Sequence, residues 1–153
     1  MTEYAGREAL RALAWVVTKE FLRKKTRAAR KATKHGRGRS RGGNPTLAAI
    51  VDEARAVSFV YVVSSDTGVV KVGFSKDVAS RLATLQTGNP DRLKVYTHHE
   101  VPASLAQIVE RRAHELLHAA HMCGEWFQVT AHEAEDAILT AILEIVPREP
   151  APA

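Results

Sequence analysis

Two short runs of β-branched and aromatic residues, 57–63 and 69–74, constrain the fold of this chain more than any other feature. Between them lies Ser64-Ser65-Asp66-Thr67-Gly68, which is turn chemistry, so the runs are predicted to pair as a β-hairpin. With the turn centred on Asp66, Tyr61 lies opposite Lys71 and Phe59 opposite Gly73. Side chains alternate along a strand, so Val60, Val62, Val72 and Phe74 form an apolar face turned to a core. The other face then carries a phenol, an ammonium and, at Gly73, space for something to approach.

Helical periodicity surrounds the hairpin. Residues 5–33 read as one helix, with Leu10, Leu13, Ala14, Val17 and Phe21 at three- and four-residue spacings. From residue 19 onward Arg, Lys and Ala replace the apolar positions, so the helix continues while its buried face fades. Residues 35–43, HGRGRSRGG, are too rich in glycine and charge to pack, and read as a linker. Asn44-Pro45 is a helix opening, Asn as cap and Pro in the first turn, for a short helix to about residue 56. After the hairpin come a helix over about 76–86 capped by Ser75, a third strand over 93–99, and a long helix from Pro102-Ala103 to His121. An extended segment over 125–129 precedes a last helix, opened by the capping box of Thr130 and Glu133 and stopped by Pro147. The chain thus divides into a basic helical arm and linker (1–43), one α+β domain (44–147) and a Pro/Ala-rich tail (148–153).

Charge follows the same division. Residues 1–50 hold 13 Lys/Arg against 3 Asp/Glu, and residues 51–153 hold 9 against 14. A basic segment attached to a mildly acidic domain suggests an arm for polyanions. Lys24, Lys25, Arg27, Arg30 and Lys31 on the helix, with Arg37, Arg39 and Arg41 in the linker, are the expected phosphate contacts. Gly36-Arg-Gly-Arg39 is also similar to a minor-groove hook, although Ser40 stands where that hook has proline. No apolar run approaches the roughly 18–20 residues that cross a bilayer, so no membrane role is expected. A single cysteine, Cys123, makes no intrachain disulfide, which fits a reducing compartment and a cytoplasmic location.

Two helices add candidate chemistry. On the helix after the hairpin, Val78, Leu82 and Leu85 form the buried stripe, and Arg81 stands at its boundary. From there its guanidinium can cover the hairpin's open face and take two phosphate oxygens. On the long helix Leu105, Val109, Leu116 and Ala120 make the core stripe, while Glu110, His114, Leu117 and His121 fall on another. A carboxylate one turn from a histidine suits a hard cation that keeps several waters. A competing reading gathers His114, His118, His121 and Cys123 around a structural zinc.

Taken together, Phe59-Val-Tyr61, Lys71-Val-Gly73, Arg81 and Glu110 form an ordered set that resembles the signature of the GIY-YIG endonuclease superfamily. More narrowly, Lys71-Val-Gly-Phe-Ser75, Leu85-Gln-Thr-Gly-Asn-Pro90 and Gly124-Glu-Trp-Phe127 resemble its phage and bacterial branch. The resemblance implies a small mixed three-stranded sheet flanked by helices, and Mg²⁺- or Mn²⁺-dependent hydrolysis of phosphodiester bonds in nucleic acid, DNA rather than RNA. It further implies that Glu110 holds the metal and that Arg81 grips the scissile phosphate; His114 is a further candidate contact to nucleic acid. Tyr61 would hydrogen-bond a metal-bound water or the attacking nucleophile. Lys71 stands where the superfamily has a second tyrosine, and Phe59 where it has a glycine. Those departures keep a second function open, a nucleic-acid-binding protein that retains the fold with weak or no catalysis.

Overall fold

In the computed structural model, which describes residues 2–35 and 46–147, the hairpin forms as β1 (Val57–Ser65) and β2 (Val70–Ser75). Its turn is Asp66-Thr67-Gly68, closed by Ser65 N donating to Val69 O at 3.0 Å. Gly68 has φ 86°, the left-handed backbone that a three-residue hairpin loop requires at its last position. That requirement centres the turn on Thr67, and the pairing slides by two residues from the expected one. Tyr61 faces Gly73, and Lys71 faces Val63. A slide of two preserves face parity, so Tyr61, Lys71 and Gly73 still share one side.

The sheet is larger than the three strands expected and is not mixed. Its order is β3-β1-β2-β5-β4, and every pair is antiparallel. The strand β3 (Leu93–Pro102) lies beside β1, on the flank opposite β2. β2 and β3 therefore run the same way without ever being neighbours, and no parallel pair arises. The added strands are β4 (His121–Cys123) and β5 (Trp126–Phe127), which pair with each other across Gly124. β5 in turn pairs with β2, matching Val70 to Phe127 and Lys71 to Trp126. The extended segment expected over 125–129 forms β5, whereas the helix expected to reach His121 stops at Leu116 and His121 opens β4 instead.

Helices cover both faces. On one face α4 (Ala106–Leu116) and α5 (Ala131–Ile145) pack over Val60, Val62, Val70 and Val72 in the main core. The buried stripe of α4 is Ala106, Val109 and Ala113, continued by Leu117. It is rotated from the expected Leu105–Leu116 register, and Leu116 is 40% exposed. Helix α5 starts with the capping box read from its sequence: Thr130 Oγ1 accepts from Glu133 N at 3.2 Å, and Thr130 N donates to Glu133 Oε2 at 2.8 Å. On the other face α3 (Val78–Thr87) lays Val78, Leu82 and Leu85 over Tyr61, Val63 and Leu93, making a second, smaller core. Asp77, not Ser75, caps α3. Ser75 tightens the preceding turn by donating to Asp77 O.

Helix α1 (Thr2–His35) crosses the main-core side of the molecule. Ala14 and Val17 belong to the main core, and Leu22 is buried. Helix α2 (Leu47–Arg55), capped by Thr46 accepting from Ala49 N at 3.3 Å, packs against α1. The expected cap Asn44-Pro45, the linker with Arg37, Arg39 and Arg41, and the 148–153 tail lie outside the described residues. Among the described residues no helix is long and apolar enough to cross a membrane.

Candidate active site and nucleic-acid interface

The two cores leave a polar seam where β2, β5, α3 and α4 meet. Tyr61, on interior strand β1, is 1% exposed, since α3 covers a face that the sequence left open. Its ring takes the space beside Gly73: a Cβ there would stand 2.5 Å from Tyr61 Oη and 2.7 Å from Cζ. The room at Gly73 thus belongs to the phenol itself. Gly73→Ala should displace that ring and cost about 1–3 kcal/mol, as overpacking of a tight core does. Urea unfolding reads the effect, and a variant as stable as the parent would show that the phenol moves freely.

Arg81, on an exposed position of α3, reaches back over the seam, and its Nε donates to Tyr61 Oη at 3.4 Å. No other hydrogen bond of its guanidinium occurs among the described residues, which leaves two terminal nitrogens for a phosphate. Burial pushes the Tyr61 hydroxyl above its usual pKa, against the opposing pull of Arg81. The phenol therefore keeps its proton at neutral pH and can donate it in a hydrogen bond.

From the other side α4 contributes Glu110, 9% exposed, whose carboxylate accepts no hydrogen bond among the described residues. Burial first, then the nearby charge of Glu125, pushes its carboxyl up to about 7, although Lys71 and Arg81 pull it down. Lys71, 5% exposed on β2, pairs with Glu125 and lies 5.8 Å from the centroid of the Trp126 ring. Two cations and two carboxylates thus share one seam with a buried phenol. Glu125 is not singled out by the sequence, where its box Gly124-Glu-Trp-Phe127 enters only as part of a resemblance. The signal was the pairing of β5 with β2, which sets Trp126 against Lys71 and so carries Glu125 to the ammonium.

His114 lies one turn from Glu110, but its Nε2 is 3.0 Å from Val72 O and its ring packs 5.1 Å from Phe127. It ties α4 to β2. His121 Nε2 is 2.9 Å from Gly124 O, so it braces the β4–β5 reversal. The zinc reading fails on this geometry: α4 ends at Leu116, and the next residues turn into a short helix and a strand. Among the described residues no group of three or more His, Cys, Asp or Glu could hold a metal ion. A hard cation would have Glu110 as its protein ligand, with solvent and phosphate supplying the rest.

Lys24, Lys25, Arg27, Arg30 and Lys31 are exposed on α1. They are carried by other elements than the seam residues, and Lys25 Nζ sits 5.4 Å from the Phe21 ring centroid.

Residues 58–142, more than half of the chain, match the family model described as the T5orf172 domain. The chain belongs to the T5orf172 domain family. This overturns its placement in the GIY-YIG superfamily and in the phage and bacterial branch of it. The motifs behind that placement are fragments of three to six residues and the single positions Arg81 and Glu110, too short to fix a family by themselves. No curated protein and no solved structure matches the chain significantly. The T5orf172 domain is associated with endonuclease-like proteins, which supports a nuclease-like or nucleic-acid-binding function. Its matched span contains Tyr61, Lys71, Arg81, Glu110 and Glu125.

Proposed function

We propose that this T5orf172-domain protein is a metal-dependent endonuclease that hydrolyses phosphodiester bonds in nucleic acid, DNA rather than RNA. The observation that carries the proposal is the convergence of Tyr61, Arg81, Glu110, Lys71 and Glu125 on one seam. Glu110 fits Mg²⁺ or Mn²⁺, being a nearly buried carboxylate without hydrogen bonds, which a cation would compensate. When bound, such an ion supplies positive charge to the oxygen that leaves phosphorus. The chain's own groups do the remainder. Arg81 takes two non-bridging phosphate oxygens while Tyr61 holds its Nε in place, and so stabilises the charge that builds as water adds and the P–O bond breaks. Tyr61 uses its retained proton to orient the incoming water. Lys71, anchored by Glu125, adds a fixed cation beside the phosphate.

A binding protein without hydrolysis is the second reading, favoured by one observation. Among the described residues no histidine joins the five seam residues as a base for the water, because His114 is committed to the Val72 carbonyl.

Incubation with labelled DNA and RNA, duplex and single-stranded, in Mg²⁺, Mn²⁺ or chelator decides between the two. Cleavage that chelator abolishes is the expected result; binding without products under every condition would establish the second reading. Lys71 has its own test. Lys71→Ala should lose most activity and Lys71→Arg keep a substantial part, since a guanidinium also provides a fixed cation. If Arg is as inactive as Ala while the parent's rate climbs with pH through one ionisation, Lys71 acts as a base.

A further inference from the structure

The groove between α1, α2 and the start of β1 has a volume of about 680 Å³, and cations dominate its walls. Lys19, Arg23, Arg27 and Arg30 come from α1 and Arg55 from the last turn of α2, against a single acid, Glu100. Glu100 is spent on Lys19, whose Nζ donates to it at 2.6 Å. Arg23, Arg27 and Arg55 are exposed and make no ion pair among the described residues. Leu22, Thr26 and Val57 form the floor, on which arginine stems can lie with their heads in solvent.

We infer that this groove is a second phosphate-binding surface, which holds the nucleic-acid backbone away from the hydrolytic seam. The inference rests on the nucleic-acid reading above. On a helix at 100° per residue, positions 19, 23, 27 and 30 fall within one face, running about 16 Å along the axis. That length matches the rise of about five base pairs at 3.4 Å each. Lys24 and Lys25 point elsewhere around α1, and Lys31, one turn past Arg27, lies beyond the groove's lining, so the basic residues are not one diffuse coat. Arg55 completes the opposite wall only because α2 packs on α1. Every lining residue except Glu100 lies outside the matched 58–142 span, so the groove is an addition to the T5orf172 domain. Guanidinium forks on a partly apolar floor suit phosphodiester oxygens, which they grip two at a time.

The test compares the full chain with Arg23→Gln/Arg27→Gln/Arg55→Gln, leaving Arg30 in place. Binding of labelled DNA and RNA duplexes of one sequence is measured in chelator across a salt series, with circular dichroism to verify folding. Each lost phosphate contact removes about 0.9 from the slope of log K against log salt on DNA. The triple variant should bind about tenfold more weakly or worse, with a flatter slope by about two contacts or more. Lys24→Gln/Lys25→Gln/Lys31→Gln, with equal loss of charge, should change binding far less. The ratio of the DNA to the RNA loss identifies which backbone the groove accepts. Equal losses from both triples would overturn the inference in favour of diffuse charge. Unchanged duplex binding with lost binding of a polyglutamate peptide would assign the groove to an acidic protein instead. Binding in chelator is independent of cleavage, so failure here leaves the endonuclease proposal standing. Absence of cleavage, equally, would leave the groove standing.

Discussion

A chain beginning at Thr46 will not hold a stable fold. Ala14 and Val17 sit in the main core, Leu22 is buried, and Phe21 packs against that core. Burying an aliphatic or aromatic side chain of this size contributes about 1.5–3 kcal/mol, and a domain's net stability is only about 5–15 kcal/mol. The electrostatic loss is sharper. Glu135 on α5 is fully buried and takes two hydrogen bonds of 2.8 Å from Arg11 of α1, with His99 Nε2 at 3.0 Å. Burial alone would push its carboxyl up, but the Arg11 fork and His99 hold it below the usual carboxylate range. Arg11→Met should therefore cost about 3 kcal/mol, the lower end for a broken buried pair because the guanidinium is partly exposed. Glu135→Gln in the same chain should recover much of that loss. Unfolding in urea measures both, and a purely additive cycle would mean that the two residues do not support each other.

The same network sets a pH dependence. Burial first lowers the His99 pKa, despite Glu135, and the Glu135 pKa is lowered too. Both depressed groups contribute stability that is present above their unfolded values and lost as pH falls, first below about 6.5 and then below about 4.5. Glu110 has the opposite sign.

Glu110→Gln should abolish cleavage, with a loss of about a hundredfold or more in rate, while nucleic-acid binding stays the same or tightens. It should also make the metal-free protein more stable. The Glu110 carboxyl is raised from 4.5 to about 7, so the stability tied to it is present below about 4.5 and is lost as pH rises through about 7. At pH 8 the variant should exceed the parent by about 3 kcal/mol, and below pH 4.5 the difference should vanish. Mg²⁺ should raise the melting temperature of the parent and leave the variant unmoved. A variant that cuts as well as the parent would remove Glu110 from the chemistry. A variant equally stable at every pH would show that its carboxylate is solvated.

Much of this was legible because it is local. The capping box Thr130/Glu133, the Val78, Leu82 and Leu85 stripe, and the β-branched runs of the hairpin are each decided by residues a few positions apart. Face parity was legible too, because alternation along a strand survives any slide of two. Tyr61, Lys71 and Gly73 could therefore be assigned to one face of the hairpin, with Arg81 in reach of it, from the sequence alone. What the sequence alone could not decide depends on partners distant in the chain. The hairpin register turned on Gly68, whose left-handed backbone moved the turn centre by one residue. The extended segment over 125–129 entered the sheet because Lys71 found Trp126, 55 positions away, and Glu125 entered the site with it. The amino-terminal helix read as a charged arm because its apolar face fades after Phe21. Only the tertiary structure showed that Ala14 and Val17 join the main core while Leu10 and Leu13 stay exposed, and that Arg11 neutralises Glu135. A buried carboxylate is tolerable only with its counterion in place, and no local pattern names a counterion 124 residues away.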